Sequence, residues 1–282
     1  MPIDPAVAIG AEIGEVTFAW TSSDVLLYHL ALGAGPDELR YTYEQDLVVL
    51  PTFATVAANL RVFDPPAVSF PGVEIDLAKV LHGKQEITLH QPIPTSGKAV
   101  ARSRVADVYD KGKAAVVVQE VSVTSSSGDP LWTARSSIFA RGEGGFGGSR
   151  GPSDRVSCPP REPDFVFETP TLPQQALLYR LCGDRNPLHA DPAFARAAGF
   201  DRPILHGLCT YGIVARVLVN ELLDGDPARV ASFATKFAGV VFPGETLRIR
   251  VWRSGSELLV TTSAVERDDA PVLADTVLVS TP

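Results

Sequence analysis

The chain has 282 residues, 45% of them hydrophobic, and a formal net charge of −8. That length suits two domains of about 100–150 residues each, and the acidic balance argues against general nucleic-acid binding, which needs a basic surface. Cys158, Cys182 and Cys209 are odd in number, widely spaced and without a CxxC, against a disulfide framework or a structural zinc site.

The opening "MPIDPAVAIGAEIGEV" lacks a basic leader and carries Asp4 and Glu12, so it does not read as a secretory signal. "SSDVLLYHLALG" (22–33) has cap residues followed by an apolar helix, and "PTFATVAANL" (51–60) reads as a shorter second helix. Strand-like runs follow at 98–108, 113–124 and 130–140, with "YDKGK" as a hairpin turn. Residues 141–163 hold six glycines and four prolines without periodicity and read as a linker.

The second half repeats the order. A helix starts after Pro173 and ends near Gly183, and a short one follows Asp191-Pro192, a cap and a first-position proline, and stops at Gly199. Residues 207–223 form the longest helix candidate, with Leu208, Tyr211, Ala215, Leu218 and Leu222 on one face and Arg216 and Asn220 on another. The window from Leu205 to Leu223 also holds His206 and Glu221, too polar for a membrane span. Four strand-like runs complete the chain at 230–242, 245–252, 257–266 and 271–280. Helices followed by consecutive antiparallel strands, twice, predict an α+β fold in which each curled sheet wraps a central helix. "LHG" occurs at 81–83, before a strand-like run, and at 205–207, opening the long helix. On different elements the two copies are expected to share no role.

"LCGDRNPLHADP" (181–192) carries the chemistry. Asp184 and His189, five apart, would diverge on a continuous helix, so breaks at Gly183 and Pro187 are needed to turn both into one cleft. A carboxylate and an imidazole facing one small molecule make a proton-transfer pair, with Asn186 placed to orient them. His206 and Gly207 open the long helix, where unpaired backbone N–H groups gather and can stabilise an oxyanion. The bare pattern serves a turn as well as a catalytic site, and Asp191 reads as a cap. Cys182 with His189 as nucleophile and base, and Asp184, His189 and His206 as metal ligands, are rival chemistries; the sequence has no helical HxxxH and no P-loop to favour them or other catalytic classes.

The run from Tyr179 to Gly212 closely resembles the signature of the MaoC-like (R)-specific enoyl-CoA hydratases, or hydratase 2. "KFAGVVFPGETL" (236–247), "VLHGKQEITLHQPIPTSG" and "VYDKGKAAVVV" are similar to further stretches of the two-hotdog members. The resemblance implies a double hotdog with a non-catalytic, acyl-binding half at 1–140, a linker at 141–163 and a catalytic half at 164–282. It implies reversible hydration of trans-2-enoyl-CoA to (3R)-3-hydroxyacyl-CoA, in fatty-acid or sterol side-chain metabolism. Asp184 and His189 would hold and activate the water, with Asn186 helping and the Gly207 amide on the thioester oxygen. His206, Lys236, Phe242, Gly244 and Lys84 would serve substrate and CoA binding; Arg202 and Arg248 are further cations that could meet the CoA phosphates. No metal or redox cofactor, no nucleic acid and no membrane are expected, and the protein would be a cytoplasmic homodimer. The amino-terminal half lacks the histidine of the motif, and its short helix at 51–60 leaves room for long or bulky acyl groups. A hotdog acyl-CoA thioesterase and an inactive acyl-CoA-binding subunit are the competing expectations.

Overall fold

The computed structural model describes residues 3–65, 68–152 and 155–281. The first half runs α1 (Pro5–Ala8), β1 (Glu12–Trp20), α2 (Ser22–Ala31), α3 (Leu39–Thr42), the small hairpin β2 (Val68–Phe70) and β3 (Val73–Ile75), then β4 (Val80–Leu89), β5 (Gly97–Asp110), β6 (Ala114–Ser125) and β7 (Pro130–Arg141). The second runs β8 (Phe165–Pro170), α4 (Gln175–Tyr179), α5 (Pro192–Ala197), α6 (Gly207–Leu222), β9 (Val230–Phe237), β10 (Thr246–Ser254), β11 (Glu257–Ala264) and β12 (Ala270–Ser280).

The ten main strands form one antiparallel sheet in the order β1-β5-β6-β7-β4-β9-β12-β11-β10-β8. The second half therefore mirrors the first: each is a five-stranded unit, and β4 and β9 join them edge to edge. Seven strand-like runs read from alternation match β5–β7 and β9–β12. The sequence reading missed β1 and β8, the two sheet edges. β1 buries only Phe18 and Trp20, at its end, so it carries almost no alternation to read.

Local chemistry starts and stops the helices as the residue types dictate. Thr21 N–H donates to Asp24 Oδ2 at 2.9 Å, tying down the first turn of α2. Asp191 Oδ1 accepts from Ala193 N–H at 2.7 Å to start α5, and Gly199, with φ of 90°, follows its end. Helix α6 is buried over most of its circumference: Tyr211, Ala215, Leu218 and Leu222 face the core as expected, and so do Ile213, Val214 and Val219.

One hydrophobic cluster spans both halves, from Trp20 and Phe53 to Leu218 and Val260. Polar bonds cross with it. Arg216 pairs with Glu38, Asn220 Nδ2 donates to Glu38 Oε1 at 2.7 Å, and Gln175 Nε2 donates to the Ala31 carbonyl at 2.6 Å. The glycine-rich segment after β7 is pinned too: the Asp110 carboxylate accepts the N–H groups of Gly145 and Gly147 at 2.9 and 2.8 Å.

The halves differ where a central helix was expected in each. The second half supplies α6, sixteen residues long. At the matching place the first half has two 3-10 turns, Pro51–Thr55 and Ala57–Asn59. Pro51 fixes the start, and Thr52, Thr55 and Val56 are β-branched residues that propagate a helix poorly.

Candidate active site

A cavity of about 700 Å³ opens beneath those 3-10 turns. Its floor is the inner face of the first-half sheet, and its far wall holds Asp184, Asn186, His189, His206 and Gly207. Four of these five residues come from two loops that the glycine and proline breaks shape.

Gly183 ends the α4 segment with φ of 108°, a left-handed conformation that glycine adopts without steric cost. The break swings Asp184 out of the helix, and Asp184 Oδ1 accepts the Asn186 N–H at 3.1 Å. Pro187 starts a single 3-10 turn, Pro187–His189, capped by Asn186, whose Oδ1 accepts the Leu188 N–H at 3.0 Å. Asn186 thus braces both ends of the pair: its main chain holds the carboxylate and its side chain fixes the turn that carries His189.

His189 is buried, and its Nδ1 lies 2.9 Å from the Ile204 carbonyl. A carbonyl only accepts, so Nδ1 carries the proton and Nε2 keeps a free lone pair. Burial pushes the imidazolium of His189 down from its ordinary range, and the Asp184 charge partly offsets this. His189 is thereby held neutral, as a base requires.

His206, expected to meet substrate, has a structural task as well. Its ring stacks on His189 with centroids 3.7 Å apart and packs against Tyr179 at 5.0 Å. Its Nε2 reaches the Asp184 carbonyl at 3.4 Å, which clamps the backbone of the Asp184 loop. Burial first, then the neighbouring His189, lower its pKa well below the ordinary value. Gly207 begins α6, and a Cβ there would stand 2.9 Å from the Phe237 ring. Only glycine lets that helix start approach so closely.

Cys182 is buried, and burial pushes its thiol up to about 12. A protonated thiol is a poor nucleophile, which removes the Cys182–His189 rival. One ligand atom each from Asp184, His189 and His206 lie within 4.8 Å of one another, close enough for a metal. The two imidazoles, however, stack with their planes 27° apart. Lone pairs lie in the ring planes, so face-stacked rings aim side by side and fit a shared ion poorly.

The expected CoA-binding residues divide. Phe242 and Gly244 are absent from the cavity wall. Phe242 packs with Leu188, Ala195 and Ile204 under the His189 turn, flanked by the Arg202 and Arg267 guanidinium groups at 4.8 and 5.6 Å from its ring. Gly244 shapes a turn, with φ of 96°, and its N–H donates to Thr171 Oγ1 at 2.9 Å. Those two positions support the site from outside. Arg248 is engaged by Glu168 and Asp269. Lys84 and Lys236 are directly opposite each other across the β4–β9 join, both exposed. Like charges opposed across strands repel, so a doubly charged anion there would relieve them.

The two "LHG" copies sit on different elements, as expected, β4 and the start of α6, yet both border the cavity. Leu81 and His82 line the cavity with Leu205, His206 and Gly207. The His82 ring packs on Phe237 with centroids 4.8 Å apart, and burial, opposed by the Asp184 charge, pushes its pKa down to about 4. Sequence reasoning also missed Phe237, although it adjoins Lys236, and Asn59, whose carbonyl sits against Gly183.

Comparisons with known proteins agree with this geometry. A model described as the MFE-2 hydratase 2 N-terminal domain matches residues 18–142, and one described as a MaoC like domain matches residues 155–272. The chain is 54% identical to the enoyl-CoA hydratase ChsH3 of Mycobacterium tuberculosis, over 99% of each protein. It superposes on the crystal structure of a MaoC-like dehydratase from Phytophthora capsici with a TM-score of 0.91 at 30% identity, covering 99% of this chain and 98% of that one. A double-hotdog protein of M. tuberculosis, 13% identical, shares the fold with a TM-score of 0.60, covering 99% of this chain and 98% of that one. The chain belongs to the MaoC-like hydratase 2 family and has its double hotdog fold.

Proposed function

We propose that Asp184 and His189 add water across the double bond of a trans-2-enoyl-CoA to give the (3R)-3-hydroxyacyl-CoA, and catalyse the reverse dehydration. The observation that carries this is the pairing itself: a neutral imidazole with one nitrogen locked to a carbonyl, and a carboxylate within 4.8 Å of it. That separation accommodates one water between the two groups. The pair takes a proton from the water as its oxygen bonds to C3, and returns a proton to C2. Acid and base are assigned to the pair as a unit rather than one to each residue. The Gly207 amide, first in α6, would stabilise the thioester oxygen as it gains enolate character.

The acyl tail would extend into the cavity beneath the 3-10 turns, which suits long or bulky groups. Lys84 and Lys236 would meet the CoA phosphates. The chemistry needs no metal or redox cofactor on this reading. The setting on this reading is cytoplasmic; among the described residues no helix is long and apolar enough to cross a membrane. A homodimer would cover the apolar side chains on the two outer strands, where Val16 and Val166 are exposed.

Hydration of crotonyl-CoA and decenoyl-CoA, with chiral analysis of the product and a parallel assay for free thiol, tests the proposal. The expected result is loss of enoyl absorbance, an (R)-alcohol and no thiol. Thiol release without hydration would replace it with a thioesterase. Turnover of crotonyl-CoA with none of decenoyl-CoA would contradict the long-chain reading of the cavity.

A further inference from the structure

The inner face of a sheet in a buried core is ordinarily apolar, and most of the first-half sheet obeys. Val121 pairs with Ala134, which pairs with Ile87; Val117 pairs with Ile138. Between these two rows lies a polar one. Gln119 on β6 is directly opposite Ser136 on β7, and Ser136 is directly opposite Gln85 on β4. Ser103 on β5 borders the same row, facing Val121. All four residues line the cavity.

Two properties make this row a ligand-facing one. Gln85 is 3% exposed, and its Nε2 is tied to the Glu86 carbonyl at 3.0 Å. The side chains of Gln119, Ser136 and Ser103 hydrogen-bond no other described residue, so their donors and acceptors are available to whatever enters. The row also starts near the chemistry: His82, which lines the cavity together with Asp184, pairs with Ile138 one row away from Gln85. From Gln85 to Gln119 the row crosses two strand spacings, roughly 10 Å, leading away from the catalytic pair into the tail space.

We propose that this row makes the enzyme selective for acyl groups bearing a neutral oxygen substituent, a hydroxyl or a keto group, on the tail. The proposal deepens the hydratase reading and rests on it for the orientation of the acyl chain. Amide and hydroxyl side chains both donate and accept, so they satisfy an alcohol or a ketone equally. A plain hydrocarbon would leave them without partners, an asymmetry that gives polar sites their discrimination. A carboxylate tail fits poorly, because among the described residues no lysine or arginine lines the cavity, whereas the carboxyl group of Asp184 does.

The test uses saturated acyl-CoAs, which bind without reacting, so that its failure is distinct from a failure of hydration. Calorimetry on the unmodified protein compares equal-length chains that are plain, that carry a hydroxyl or keto group at successive tail carbons, or that end in a carboxylate. At least one oxygen-bearing chain should bind about five- to tenfold tighter than the plain one, the scale of one or two net hydrogen bonds, and the carboxylate weakest. The double substitution Gln119→Leu with Ser136→Ala should abolish that preference and improve binding of the plain chain. If the plain chain binds the unmodified protein as well as every oxygenated one, or if the double variant keeps the preference, the proposal is overturned.

Discussion

Gly183 and Asn59 touch across the boundary between the two halves of the chain. A Cβ on Gly183 would run into the carbonyl oxygen of Asn59, at the end of the 3-10 turn Ala57–Asn59 in the first half. The half without a catalytic motif thus braces the bend that delivers Asp184.

Gly183→Ala should therefore damage both folding and turnover. The left-handed φ alone costs about 1–2 kcal/mol in a residue with a Cβ, and the clash with a backbone atom adds overpacking of about 1–3 kcal/mol. Urea unfolding and kcat measured on the same preparation check this. Unchanged stability would mean that the loop and Asn59 separate easily, against the close approach described.

The acid side of the pH profile follows from burial. The pKa of His189 is lowered from 6.5, so the histidine stays neutral as pH falls to that value. kcat/KM should stay flat from neutral pH down to about 6.5 and decline only below it. An acid limb with an apparent pKa above 7 would contradict a buried, neutral His189.

Stability should follow the opposite partner of the same physics. His29 is fully buried with both ring nitrogens bonded, to the Tyr41 carbonyl and the Leu50 N–H, and burial pushes its pKa down to about 4. The unfolded chain takes up the proton near 6.5 and the folded one only near 4, so stability present at pH 7 is lost progressively as pH falls across that window. His29 alone contributes roughly 3 kcal/mol of that loss. Urea midpoints at pH 7 and pH 5 measure it; equal midpoints would contradict the buried neutral state.

Lys84→Ala with Lys236→Ala should raise KM for an enoyl-CoA several-fold while leaving the same enoyl thioester of pantetheine, which lacks the nucleotide phosphates, little changed. Equal effects on both substrates would remove the lysines from phosphate binding.

Much of the site was legible because it is local. The helix breaks at Gly183 and Pro187, the Asp191 cap and the helix start at Gly207 are all set by residue types within a few positions. The strand repeats were legible by alternation wherever one face is buried, which is why β1, almost unburied, escaped. What the sequence hid is long-range. His82 shares the cavity with Asp184 because β4 and β9 pair edge to edge, and nothing near His82 specifies that join. The same distance concealed the polar row, whose members are each ordinary in their own strand and become a feature only in register. The places of Phe242 and Gly244, outside the cavity lining, were hidden for a related reason: their proximity to Lys236 in sequence says nothing of which sheet face or turn carries them.

Hydration turns on Asp184 and His189 acting together. Asp184→Asn and His189→Ala, each shown to be folded by circular dichroism, should lower kcat for enoyl-CoA hydration at least ~10²-fold, the scale of a lost general acid or base, with EDTA leaving the unmodified enzyme unaffected. Near-normal turnover in either folded variant would contradict the central claim.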